Sequence, residues 1–251
     1  MTARTRAAAA TLLLLTITAA TSCAPAQGEP VAPSFALTSA EVVYPTGQAY
    51  PVNLIFAAAK DDPIWTDLTG IDLPGGAAVG PGDFEVIRGE GSDGFDLGNV
   101  AFNIIPTADG IAFETVGLIY ADTKDPIRVD VGSWAFMAVA ADQFATRDAG
   151  AEVVAMSGCT SADFPVPAST ASLESFSTGS SDVQADEVQL HPESASVTVA
   201  LSCSDDVDFH IFSPTLEYTD REGAARSTRL APVTIGFQDI DAADLRKIRE
   251  R

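Results

Sequence analysis

"PIRVDVGSWAFMAVA", residues 126–140, decides how this chain folds. Ile127, Val129 and Val131 alternate with Arg128 and Asp130. A period of two puts the apolar side chains on one face and the charged ones on the other, which is the pattern of a half-buried strand. Gly132-Ser133 interrupts the alternation. The interruption predicts a bulge, after which the buried phase shifts.

The same period recurs on both sides of this stretch. In "PVNLIFAAA" (51–59), Val52, Leu54 and Phe56 share a face. Phe84 and Val86 do so in "DFEVIRG" (83–89), and Val100, Phe102 and Ile104 in "NVAFNIIP" (99–106). "SFALTSAEVVY" (34–44) and "GIAFETVGLIY" (110–120) read as further strands. The second half continues with "AEVVAMSGC" (151–159), "ASLESFS" (171–177), "EVQLHP" (187–192), "SASVTVALSC" (194–203), "DFHIFSP" (208–214), "TLEYTD" (215–220) and "RLAPVTIGFQD" (229–239). Turn residues separate these runs, and long helical periodicity is missing. Many short strands spaced in this way predict an all-β fold of β-sandwiches.

A faint internal repeat divides the chain. "LIYADTKDPIR" (118–128) and "LEYTDREGAAR" (216–226) share Tyr, Asp and Arg at the same spacing: Tyr120, Asp122 and Arg128 against Tyr218, Asp220 and Arg226. Each reads as a strand–turn–strand hairpin. The expectation is two sandwich domains, 34–144 and 145–240, followed by a short C-terminal helix or tail at 241–251. That helix, "DIDAADLRKIRER", is expected to be capped by Asp239 or Asp241, with basic residues near its C-terminal end, where the helix dipole favours them. At the level of pattern, the chain resembles immunoglobulin-like modules of bacterial surface proteins. It lacks the Trp that marks true immunoglobulin domains between Cys159 and Cys203.

The N-terminus carries an address. "MTARTR" has Arg4 and Arg6 and no acid, and the apolar run Ala7–Ala20 follows. A basic start, a short apolar core and small residues at its end form a signal peptide, here residues 1–22. The run is short for a membrane span, which needs roughly 20 residues. Small residues Ala20, Thr21 and Ser22 lead to Cys23. This arrangement resembles the lipobox of bacterial lipoproteins, although Ala20 stands where Leu is usual. The resemblance implies lipidation of Cys23, cleavage just before it and attachment to the cell membrane on its extracytoplasmic face. Residues 23–33 then form a lipidated tether, because Pro and Gly in "APAQGEPVAP" oppose regular structure. Ten extended residues reach about 33 Å.

Composition narrows the functions. The chain has 14 basic and 35 acidic residues, a net charge of −21. Such a surface repels phosphate, so no nucleic-acid partner is expected. It also repels anionic lipid, which makes a covalent anchor more useful. Apolar residues are 46% of the chain, enough for a real core. Cys159 and Cys203 remain beyond Cys23, and an even count in an oxidising compartment predicts a disulfide between them. Cys203 follows Val197, Val199 and Leu201 on one strand face and so points toward a core.

Signals of chemistry are sparse. The only histidines are His191 and His210. "SDDVDFH" places Asp206, Asp208 and His210 at alternate positions, a weak metal candidate against the simpler reading of a solvated strand edge. Phosphate-cradling, Gly-x-Ser-x-Gly and His-Glu-x-x-His motifs are missing from the sequence. No cofactor and no catalytic residue is assigned. Two long segments, Lys60–Gly82 and residues 169–187, read as irregular at least in part. Trp65 in the first is either a loop anchor or a sugar-stacking face. The sequence therefore leads to a lipid-anchored, non-catalytic binding or interaction module whose partner is an envelope protein or ligand not named by any motif. The alternatives are a small-molecule or ion-binding accessory of a transporter, with a pocket at the Lys60–Gly82 loop, and an envelope hydrolase using two distant carboxylates.

Overall fold

The computed structural model describes residues 32–145, 154–238 and 240–250. The expected signal peptide, Cys23, most of the tether and Asp239 lie outside the described residues, as do residues 146–153 beside the expected domain boundary.

The first half supplies β1 (Ser34–Phe35), β2 (Thr38–Pro45), β3 (Tyr50–Ala59), β4 (Leu68–Asp72), β5 (Ala78–Val79), β6 (Phe84–Ser92), β7 (Phe95–Ile104), β8 (Ile111–Tyr120) and β9 (Ile127–Val139). The second half supplies β10 (Val154–Met156), β11 (Ser161–Pro165), β12 (Thr170–Ser177), β13 (Val183–His191), β14 (Ser196–Cys203), β15 (Phe209–Phe212), β16 (Thr215–Asp220), β17 (Ala225–Arg229) and β18 (Val233–Ile235). A helix, α1 (Ala242–Arg249), follows. The fold is all-β, as expected, with its sheets packed as sandwiches around buried apolar faces.

β9 shows how the local pattern builds the fold. Val131 is buried before the interruption, and Trp134, Phe136 and Ala138 are buried after it. The phase changes at Gly132-Ser133, where pairing with β8 jumps from Thr115↔Asp130 to Phe113↔Trp134. Gly132 has φ +81° and donates its N–H to Asp130 Oδ1 at 2.9 Å. Two constraints select glycine: its positive φ and the closeness of Thr38 in β2, whose backbone a Cβ would overlap. Beyond the bulge, Trp134 stacks on Phe113 and Phe136 and donates its indole N–H to Val131 O at 3.0 Å.

Four sheets result. The first runs β1-β3-β7-β6, and the second β10-β18-β15-β2-β9-β8-β4-β5. β11-β14-β13 and β12-β16-β17 form two smaller sheets. Among the described residues there are two main cores, the first built mostly from the first half together with Ile211, the second from the second half. One fills the space between β3 and β7 and the facing residues of β2, β8 and β9. The other gathers Phe164, Val197, Val199, Phe212, Leu216 and Val233 from the second half. The long sheet passes through both: β15 pairs in parallel with β2, and β2 in parallel with β9.

Several elements differ from expectation. The Lys60–Gly82 segment is not a plain loop. Asp62 caps a single 3-10 turn at Pro63–Trp65, and β4 and β5 extend the sheet edge. These strands are too short, and too interrupted by Gly and Pro, to show a period. β11 has no counterpart in the sequence reading. Five residues ending in proline are a weak signal, yet proline is tolerated on an edge strand such as this. The two repeat hairpins both form, but they use their side chains differently. Arg226 pairs with Asp220 at 2.9 Å, whereas Arg128 reaches Asp72 at 2.5 Å rather than Asp122.

Candidate functional site

The residues singled out in the sequence fall into separate places. Cys159 and Cys203 are joined as a disulfide with Cα atoms 6.0 Å apart, packed against the second core. Asp206, Asp208 and His210 do not line one strand face, because β15 begins only at Phe209. The Asp208 carboxylate accepts the Leu37 N–H at 2.9 Å and pairs with Lys247 of α1 at 3.1 Å. Asp206 accepts the Ser204 hydroxyl at 3.1 Å. His210 is 5% exposed, and burial lowers its pKa against the opposing pull of the Ser204 backbone, Asp182 and Asp205. Among the described residues no three His, Cys, Asp or Glu side chains gather as a metal site would require.

His191 Nε2 lies 2.9 Å from Thr198 Oγ1, and that hydroxyl donates to Asp163. The hydroxyl sits between imidazole and carboxylate. A nucleophile triad needs the imidazole in the middle. Trp65 is an anchor: its ring packs on Phe56 at 5.0 Å, Arg88 covers it at 4.6 Å, and its N–H meets Ala59 O at 2.7 Å.

Two clefts flank α1 and each contains two carboxylates, Glu90 with Asp241 and Asp208 with Asp244. Most of these groups hold the helix. Asp241 accepts the N–H groups of Ala243 and Asp244, and Asp244 accepts that of Asp241, which forms a capping box. Of the two candidate caps, Asp241 takes the role. Leu245 and Ile248 then seal α1 onto Ala36, Ile55, Ala57 and Phe209.

A roomier cleft than the two beside α1 lies on the outward face of β3 and β7. It measures about 370 Å³, within the ~300–1,000 Å³ range of ligand pockets. Alternation along β3 puts Val52, Leu54 and Phe56 inward and Pro51, Asn53 and Ile55 outward, where they line the cleft. Asn99 comes from β7, opposite Ile55. Ile211 of β15 and Thr234 of β18, a cross-strand pair, add the far wall with Phe237. Phe237 follows Gly236, whose φ of +92° and closeness to Asp208 O (2.9 Å from a would-be Cβ) turn the chain here. One ring stacks on another, Phe237 on Phe209, at 4.3 Å.

The chemistry of this cleft is neutral. None of its lining residues carries a charge, in a chain with 35 acidic residues. Its one ionisable group is Tyr50, whose phenol is pushed well above its usual range by burial and by Tyr44 beside it. Asn99 Nδ2 donates to Asn53 Oδ1 at 2.7 Å. The buried Asn99 Oδ1 has no hydrogen-bond partner. An unmet buried acceptor costs ~1–3 kcal/mol, and a donor supplied by a ligand removes that cost. Sequence reading missed this site. The available signal was on β3, whose outward side continues Pro51, Asn53, Ile55, Ala57, too apolar for a solvated face.

No protein-family model matches the chain, and no curated protein matches it. Among solved structures it is similar to the eight N-terminal Ig domains of Down Syndrome Cell Adhesion Molecule isoform 1.30.30, at 11% identity and a TM-score of 0.25 over 81% of this chain and 28% of that one. It is also similar to extracellular cadherin domains 1–4 of Protocadherin Gamma B7, at 11% identity and a TM-score of 0.24 over 81% and 50%. A third is mouse clustered PcdhgC3 EC1-3, at 9% identity and a TM-score of 0.23 over 81% and 66%. The chain thus spans from 28% to 66% of the length of these proteins. At such scores the likeness carries no conclusion about function.

Proposed function

We propose that the chain is a lipid-anchored extracytoplasmic protein that serves as a non-catalytic binding module at the cell envelope. The observation that carries the binding reading is the uncharged cleft on β3 and β7, where an aromatic ring and two side-chain amides meet. It offers contacts that hold a ligand and no group poised to move a proton. The anchor rests on the sequence around Cys23. It gains support from the Cys159–Cys203 disulfide, which suits an oxidising compartment and accounts for two of the chain's three cysteines. Attachment through more than one acyl chain is stable where a single chain is marginal.

Among the alternatives, the transporter accessory differs mainly in its partner, and the neutral cleft suits an uncharged small molecule better than an ion. The hydrolase reading needs two free carboxylates across a cleft. In the clefts beside α1, Asp241 and Asp244 form the helix cap and Asp208 pairs with Lys247, so neither cleft holds two free carboxylates. Fractionation of cells producing the native chain and Cys23→Ser tests the anchor. The native protein should stay with membranes and the variant should be released in folded form. Equal membrane retention of the two would defeat it.

A further inference from the structure

We propose that the cleft formed by Asn53, Asn99, Ile211, Thr234 and Phe237 binds a neutral saccharide residue. The inference rests on the reading of this cleft as the binding site and names its ligand class. Charge excludes most other ligands. A hard cation needs several oxygen ligands, usually carboxylates, and an anion needs Arg, Lys or a cluster of backbone N–H groups. None of the lining residues supplies a charge of either sign. A purely apolar ligand would strip water from the Asn53–Asn99 amide pair and return nothing to it.

A sugar ring satisfies both halves of the cleft. Its hydroxyls each donate and accept, which matches a carboxamide carrying both functions. The Asn53 amide and the Thr234 hydroxyl line the cleft beside Asn99, and a turn of the Asn99 amide would exchange its bond to Asn53 Oδ1 for one from a ligand hydroxyl to the buried, unpartnered Asn99 Oδ1. The C–H face of the ring meets the apolar wall of Pro51, Ile55, Ile211 and Phe237. Phe209 backs Phe237, so the aromatic wall is preorganised rather than assembled on binding.

The test is a titration of the isotope-labelled full chain, disulfide intact, followed by NMR of the side-chain amides of Asn53 and Asn99 and the backbone of Phe237. The probes are maltose, cellobiose and diacetylchitobiose, with glucuronic acid as the charged control and toluene as a hydroxyl-free one. At least one neutral disaccharide should shift these signals saturably in the millimolar range or below, and glucuronic acid should not. Asn99→Ala should weaken binding about tenfold, the equivalent of one hydrogen bond, with an unchanged melting temperature confirming that it is folded. If toluene moves the signals as strongly as any sugar, the cleft is a binding site and the saccharide assignment falls. If no probe moves them, the reading of the cleft as a binding site falls as well. Equal binding by glucuronic acid, or by Asn99→Ala, overturns the assignment.

Discussion

Replacing Gly132 by alanine tests the bend on which the long sheet depends. Gly132 and Gly223 share the same φ of +81°, so alanine meets the same backbone penalty at both, about 1–2 kcal/mol. Their surroundings differ. An added Cβ at Gly223 has nothing within 4 Å, whereas at Gly132 it would overlap the backbone N and O of Thr38. Thr38 is 2% exposed and pairs directly with Gly132 at the junction of β2 and β9, so relief requires these strands to part. Overpacking of this kind costs ~1–3 kcal/mol beyond the backbone term. Gly132→Ala should therefore lower stability by about 1–3 kcal/mol more than Gly223→Ala. Urea unfolding measures this as a difference of up to about 1 M in midpoint at equal slope. Equal midpoints for the two variants would show that β9 does not approach β2 as described.

Other expectations concern the second half and the helix. The disulfide closes a separation of 44 residues, so the Cys159→Ser, Cys203→Ser double variant should lose about 4 kcal/mol on the chain-entropy account, read as a lower denaturant midpoint. His210 is held neutral by burial, so its pKa is depressed below the unfolded value of 6.5. Stability from this group is complete above about pH 6.5 and declines as pH falls toward the folded pKa, because the unfolded chain then binds the extra proton. His210→Leu should remove that part of the acid-side slope in a pH series of unfolding curves, and an unchanged slope would refute it. Ile248 is 1% exposed on the buried side of α1, while Arg246 and its partner Asp93 are both more than half exposed. Ile248→Ala should cost ~2–5 kcal/mol, whereas Arg246→Ala should cost no more than about 1 kcal/mol. Thermal melts of the two variants separate these outcomes.

The strands were legible where a period of two persisted for five or more residues, and β9 even announced its own bulge through Gly132-Ser133. A cap at Asp239 or Asp241 was legible because α1 carries a local signal, an acid before the first turn and basic residues in the last, and the structure selects Asp241. Cys159 with Cys203 followed from compartment and count. What failed was non-local. Pairing of β2 with β15 joins residues about 170 positions apart, and nothing in either strand specifies its neighbour. The cleft draws on β3, β7, β15, β18 and the turn at Gly236, so no window of sequence contains it. Asp206 and Asp208 misled for the opposite reason. Their alternate spacing looked like a strand, but β15 starts only at Phe209, after both.

The most direct test of an anchored binding module is the intact mass of the N-terminal peptide of the mature protein, extracted from membranes with detergent. The account predicts a chain that begins at Cys23, with the mass of a diacylglyceryl group on its sulfur. A mature chain that begins elsewhere, or an unmodified Cys23, would contradict it.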